Sequence, residues 1–192
     1  MWAVLVVSHT GQLMEQTALT GSRIGARFAS GYARTLLHVV SIPAVIAMAV
    51  IVFLLALWRG SRRRALWAAG TIAATNASAQ LLKHTLLWRP DFGLSQRWDA
   101  ANTLPSGHTA VAASTAVALV LVVGARWRSL TAWVGALLAA AMGYSTLVCQ
   151  WHRPGDVMAA LLLAVGWGAV AVACGAWAND EPAPGGRTGP DD

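Results

Sequence analysis

The sequence predicts an all-α fold: a polytopic transmembrane helical bundle with five spans, preceded by an N-terminal segment. Its 192 residues are 56% hydrophobic and only 11% charged, and the mean hydropathy is +0.53. A soluble domain carries about 25% charged residues, so this chain has too few of them to cover a surface that faces water. The apolar residues also gather into segments of about 20 residues, the length that crosses a bilayer.

Five segments qualify as spans. They lie at about 36–58, 65–87, 108–125, 130–150 and 157–177. The second of them is interrupted by Asn76, Gln80 and Lys83, which fall on one helix face at about 100° per residue. Polar residues on one stripe of a span face the bundle interior or a wet cavity, so we expect this stripe to point away from lipid.

The chain divides into three regions. Residues 1–35 are predicted to form an N-terminal arm or an interfacial amphipathic helix, because Arg23, Arg27 and Arg34 share one helical face. A loose surface arm is the alternative, since three glycines interrupt the pattern. Residues 36–177 form the transmembrane domain, and residues 178–192 form a polar, Pro- and Gly-rich tail that is predicted to be disordered.

Charge sets the expected orientation and partners. The short links at 59–64 and 126–129 are rich in Arg and lie on one side of the bundle, the side that favours the cytoplasm. We therefore expect an integral protein of the cell membrane whose opposite, extracytoplasmic side carries the candidate site. The net charge of +6 is spread over links, segment ends and that site, so no basic patch indicates a nucleic-acid partner. No cluster of carboxylates indicates a metal.

The stretch "LLKHTLLWRP" at 81–90 holds the only lysine of the chain. A charged residue at the centre of a bilayer costs roughly 2.5 to 3.5 kcal/mol. Pro90 disfavours the α conformation at Arg89, which ends the helix and frees the guanidinium to approach Lys83. Two converging cations favour a polyanion such as phosphate. The alternative is that Lys83 extends to the membrane interface and Arg89 is an ordinary loop residue.

The stretch "NTLPSGHTA" at 102–110 reads as the start of a helix. Ser106 is the predicted N-cap, and Gly107 allows a ligand to approach the exposed N–H groups, which bind anions. His108 then lies in the first turn beside the anion. A simple cap with an incidental histidine has the same geometry.

The stretch "YSTLVCQWHRPGD" at 144–156 places a carboxylate four residues after a histidine. Pro154 suits the first position of the last span, and Asp156 then lies in its first turn, where the helix dipole favours an acid. If Asp156 also accepts a ring N–H from His152, the other ring nitrogen is free to attack an electrophile.

Together the three stretches resemble the signature of the type-2 phosphatidic acid phosphatase superfamily. These membrane lipid phosphatases share an active site with vanadium haloperoxidases. The resemblance covers about residues 65–177, and "PSGH" with "HRPGD" is its most specific part. It implies a helical bundle, a phosphohistidine intermediate, no metal or other cofactor, and a lipid phosphate in the bilayer as substrate.

The resemblance also implies a role for each motif residue. His152 would be the nucleophile, Asp156 would orient it, and His108 would protonate the leaving group. The phosphate would be held by Lys83, Arg89, Ser106 and Gly107.

Two departures from the family pattern stand out. Five residues separate Lys83 from Arg89 where the family has six, and Thr146 stands where the family has a phosphate-binding arginine. Losing one charge-assisted bond costs roughly 1.5 to 3 kcal/mol. Arg153 and His84 are the candidates to replace it.

The predicted function is therefore metal-independent hydrolysis of a lipid-linked phosphate monoester or diphosphate. The alternative is a non-catalytic relative that binds or carries phospholipid at a degenerate phosphate site. A haloperoxidase is disfavoured by the five predicted spans. A serine protease is disfavoured because Ser106 has a capping role and His108 is too close in sequence to be its base.

Overall fold

The computed structural model describes residues 1–22, 31, 35, 42–58, 62–94 and 102–178, and in these residues it contains helices and no strand. The arginines of the predicted amphipathic helix, Arg23, Arg27 and Arg34, lie outside the described residues, as does the predicted tail beyond residue 178.

Six α-helices and two π-helical turns follow one another along the described chain. The helices are α1 (His9–Gly21), α2 (Ile42–Trp58), α3 (Arg62–Leu81), α4 (Gly107–Val122), α5 (Ala125–Val148) and α6 (Pro154–Ala173). A π-helical turn at Ala3–Val7 precedes α1, and a second at Leu82–Leu86 continues α3.

Helix α4 is the centre of the bundle and packs against α2, α3, α5 and α6. Small residues allow these close approaches. Ala113, Ala139 and Ala164 form one buried cluster that joins α4, α5 and α6. A Cβ added to Gly135 would lie 2.7 Å from the Cβ of Ala116. Packing through small residues is typical of helices that associate within a membrane, where lipid tails remove the hydrophobic drive between helices.

Each of the five predicted spans overlaps a described helix, but only two described helices are long and apolar enough to cross a membrane. These are α5 and α6. Helix α4 is apolar but has 16 residues, α2 has 17, and α3 begins with three arginines. A crossing needs about 20 apolar residues, so the five-span prediction is supported for two helices and stays a prediction for the rest.

The predicted link at 126–129 is wrong. Helix α5 begins at Ala125, so Arg126 and Arg128 belong to its first turn, and the connection to α4 is only Val123 and Gly124. The basic residues are compatible with a helix because the guanidinium of Arg128 stacks over the ring of Trp177, 3.9 Å from its centroid.

The N-terminal segment packs onto the bundle. Four residues spaced along one face of α1, namely Gly11, Gln12, Glu15 and Leu19, are buried, and α1 contacts α6. This spacing of three and four residues is that of a helix face turned towards a core. Two of the buried side chains are polar, which requires partners inside the bundle.

The close approach of α4 and α6 gives a test of the packing. A side chain at Gly168 would overlap Val117, whereas a Cβ at Gly166 would meet no heavy atom of the described chain within 4 Å. Gly168→Leu should therefore lower the free energy of unfolding in detergent by about 1–3 kcal/mol. The matched variant Gly166→Leu should leave it nearly unchanged, and equal losses in the two variants would contradict this packing.

Candidate active site

The three predicted stretches meet at one end of the bundle. The π-helical end of α3 carries Lys83, the start of α4 carries Ser106, and the turn between α5 and α6 carries His152. Direct hydrogen bonds connect the second and third stretches, and Asn102 connects the first to the second.

Asp156 and His152 form a buried pair. Nδ1 of His152 lies 3.2 Å from Oδ2 of Asp156, and their side chains are 8% and 2% exposed. The same carboxylate oxygen accepts the backbone N–H of Arg153 at 2.9 Å and the hydroxyl of Thr103 at 2.6 Å. Pro154 begins α6 and puts Asp156 at its third position, so the contact expected from the spacing is present.

The turn before His152 is held by the end of α5. The carbonyl oxygen of Thr146 accepts the N–H groups of Trp151 at 2.9 Å and His152 at 3.3 Å. Gln150 adopts a left-handed conformation with φ of 60°, which is uncommon for a residue other than glycine. The hydroxyl of Thr146 donates to the carbonyl of Gly143 at 2.7 Å, so this side chain is bonded within its own helix.

Ser106 caps α4 as the sequence predicts. Its hydroxyl oxygen accepts from the N–H of Thr109 at 3.4 Å, and its own N–H donates to the carbonyl of Asp156 at 2.9 Å. Beside it, Gly107 leaves open space, because a Cβ there would come no closer than 4.0 Å to a heavy atom, Nε2 of Gln80. The start of α4 is therefore accessible to an anion.

His108 lies between the cap and the third stretch. Its ring is half-buried, with its centroid 5.6 Å from the ring of Trp151. Because Trp151 directly precedes His152 in the chain, His108 of α4 lies beside the turn that carries His152.

Arg89 lies outside the helix, as Pro90 predicts, because the helix ends at Leu86 and Leu87 has extended backbone with ψ of 133°. Its Nη2 donates to Oε1 of Gln12 at 2.8 Å. Burial, and then the charge of Arg153, lower the pKa of Arg89. The bond to Gln12 ties Arg89 to the N-terminal helix, and its approach to Lys83 stays a prediction.

Arg153 is the buried cation of the third stretch. It is 2% exposed, and its Nη1 donates to the hydroxyl of Thr103 at 3.0 Å. His84, the other candidate to replace the family's arginine, is exposed. Of the two residues, Arg153 is therefore the one that the structure brings close to Arg89 and Asp156.

Two residues just before the "PSGH" stretch join the site together, and the sequence analysis assigned them no role. The amide nitrogen of Asn102 donates to the carbonyl of Leu87 at 3.2 Å and its oxygen accepts from Leu104 at 3.2 Å. Thr103 donates to Asp156 and accepts from Arg153. Their position beside a recognisable motif is the only signal that could have indicated them.

Glu15 is a further buried carboxylate at the site that the sequence did not indicate. Its Oε1 accepts the N–H of Gly155 at 2.6 Å, and it is 4% exposed. Burial raises the pKa of Glu15, since removing a carboxylate from water disfavours its charged form. No spacing rule connects residue 15 to residue 155, so only the folded chain reveals the contact.

Thr103 offers a test of this connected network. Thr103→Val keeps the shape but removes one hydrogen bond each from the buried Asp156 and Arg153, which should cost about 1–3 kcal/mol of unfolding free energy. Thr17→Val is the matched control, because its hydroxyl bonds only to the carbonyl of Leu13 in its own helix. Unfolding in detergent measures both, and an equal loss in the two variants would contradict the network.

A family model described as the PAP2 superfamily matches residues 64–180. The matched region begins in α3, ends after α6 and includes all three stretches, while α1 and α2 lie before it. No match was found among curated proteins or among solved structures. The family match covers well over half of the chain and confirms the resemblance carried by the motifs. The chain therefore belongs to the PAP2 superfamily, whose members are generally phosphatases.

Proposed function

We propose that this protein hydrolyses a lipid-linked phosphate monoester or diphosphate through a phosphohistidine at His152. The observation that carries the proposal is the buried His152–Asp156 pair, 3.2 Å apart through Nδ1. A carboxylate bonded to Nδ1–H leaves Nε2 as the free nucleophilic nitrogen and stabilises the imidazolium that forms. The pair sits beside the start of α4, where an anion can bind.

In the first step, Nε2 of His152 attacks phosphorus in line with the leaving oxygen. The new P–N bond forms as the P–O bond to the leaving group breaks. His108, as imidazolium, donates a proton to that departing oxygen. The contact of the His108 ring with Trp151, the residue before His152, supports this division of roles between the two histidines.

In the second step, water attacks the phosphohistidine. His108, now neutral, accepts a proton from the water as its oxygen bonds to phosphorus and the P–N bond breaks. Inorganic phosphate leaves and both histidines return to their starting states. These two steps need no metal and no other cofactor.

Groups from all three stretches would hold the phosphate: cations from the first and third, and the exposed helix start of the second. Arg89 and Arg153 lie within electrostatic range of each other, and two like charges in a partly buried site are stabilised by an anion between or beside them. The proposed phosphate ligands are Lys83, Arg89, Ser106, Gly107 and Arg153. They would balance the charge that develops on the phosphoryl oxygens in the transition state.

The position of the site in the bundle suits a lipid substrate. It lies at one end of a bundle with two helices able to cross a membrane, and Trp88 and Trp151 are exposed there, as interfacial anchors would be. Candidate substrates are phosphatidic acid, phosphatidylglycerol phosphate and polyprenyl phosphates or diphosphates. We propose that the site lies on the extracytoplasmic side of the cell membrane, opposite the arginine-rich first turns of α3 and α5.

A non-catalytic lipid binder is the second candidate, and Thr146 is the observation that favours it. The hydroxyl of this residue is bonded within α5, so it does not substitute for the phosphate-binding arginine of the family. Arg153 is what favours catalysis over this alternative, because it brings a buried cation to the same stretch.

Phosphate release by the detergent-purified protein, with EDTA present, tests the proposal on a panel of lipid phosphates. We expect release from at least one lipid, and a loss of roughly a thousandfold or more in His152→Ala. Asp156→Asn should lose activity by about the same order, since the histidine tautomer is no longer fixed. His9→Ala, at an exposed histidine that packs on Phe92, is the control and should keep wild-type activity.

Three outcomes would count against the proposal. Release that EDTA abolishes would contradict the metal-independent mechanism, and release that survives in His152→Ala would contradict the nucleophile. Lipid binding without any release would favour the non-catalytic alternative.

A further inference from the structure

The buried amide of Gln12 reaches from α1 to the guanidinium of Arg89. Gln12 is 2% exposed. Its Nε2 donates to two carbonyl oxygens, those of Val6 at 2.7 Å and Pro90 at 2.8 Å. Its Oε1 accepts from Nη2 of Arg89 at 2.8 Å. One bond joins α1 to the turn that precedes it, and the other two join α1 to the first stretch.

The two carbonyl acceptors determine which way the amide faces. A carbonyl oxygen accepts only from a donor, so the NH₂ group must lie towards Val6 and Pro90 and the oxygen must lie towards Arg89. An arginine side chain loses substantial rotamer freedom when it is fixed. A guanidinium already held by a neutral acceptor loses less of it on binding an anion. A neutral amide also leaves the full positive charge of Arg89 available to that anion.

Helix α1 is attached to the site at other points as well. Glu15 accepts from Gly155 at 2.6 Å, and Nε2 of Gln150 donates to the carbonyl of Leu19 at 2.9 Å. Trp2 donates to the carbonyl of Trp88 at 3.1 Å. These contacts fix α1 against both the first and the third stretch, so the position of Gln12 relative to Arg89 is set from two sides.

We propose that Gln12 is a positioning residue of the phosphate site, acting through Arg89, and that α1 is therefore a working part of that site. This rests on the proposed phosphate site. It extends the site to a segment that precedes the region matched by the family model, residues 64–180.

The test is a double-mutant cycle on affinity for inorganic phosphate, with the full chain in detergent. Affinity is measured from the rise in unfolding temperature as phosphate is added, against chloride at matched ionic strength. The variants are Gln12→Ala, Arg89→Ala and the double variant, and Gln12→Met serves as a second version that keeps the buried volume. Gln16→Ala is the matched control, a glutamine one turn further along α1 that is only half-buried.

Gln12→Ala and Gln12→Met should each weaken phosphate binding roughly 10-fold, the effect of disturbing one charge-assisted contact. In the Arg89→Ala background the same changes should have no further effect, because Gln12 acts through Arg89. Gln16→Ala should bind like the wild type. A purely structural role would instead lower the unfolding temperature without phosphate and leave the affinity unchanged.

Equal weakening by Gln12→Ala with and without Arg89 would overturn the proposal, as would unchanged affinity in both Gln12 variants. The experiment distinguishes failure of the Gln12 proposal from failure of the hydrolysis proposal. A wild type that binds phosphate but releases none from lipids would contradict hydrolysis, and the cycle would still decide the role of Gln12. A wild type that neither binds nor releases phosphate would contradict both.

Discussion

A single buried carboxylate organises this end of the molecule. Oδ2 of Asp156 lies 3.2 Å from Nδ1 of His152 and accepts hydrogen bonds from the hydroxyl of Thr103 and the backbone N–H of Arg153. The backbone carbonyl of Asp156 accepts the N–H of Ser106. A buried carboxylate is costly unless it is fully hydrogen-bonded. The need to satisfy Asp156 therefore draws the starts of α4 and α6 together and fixes the histidine between them. The proposed phosphate site lies beside that junction.

Two arginines, Arg89 and Arg153, supply positive charge beside this carboxylate. Burial, and then the charge of Arg153, lower the pKa of Arg89, whereas Asp156 and Glu15 raise it. In the proposed function, a bound phosphate would lie beside the two arginines and reduce the repulsion between them. This gives a physical reason for charged side chains beside apolar helices.

Local sequence patterns predicted the helix ends that position the candidate site, but they predicted none of the contacts between the site and α1. Pro154, Ser106 and Pro90 fix where helices begin and end through their own backbone chemistry, so the contacts they set up could be read from the sequence. The positions of Gln12 and Glu15 could not, because they depend on how α1 packs more than 70 residues away from its partners. The link at 126–129 was wrong because its charged residues indicated a loop. In the structure Arg128 belongs to a helix, and its guanidinium stacks on Trp177. Helix length limits the number of supported spans at α4, and composition limits it at α3, whose 20 residues begin with three arginines.

The covalent intermediate is the central claim, and it can be observed directly. The purified protein is mixed with a lipid phosphate carrying a labelled phosphoryl group, quenched in alkali within the first turnovers, digested and analysed by mass spectrometry. The account predicts the label on His152 in the wild type and no labelled intermediate in His152→Ala. Label on Ser106 or His108, or steady phosphate release with no label on His152, would contradict it.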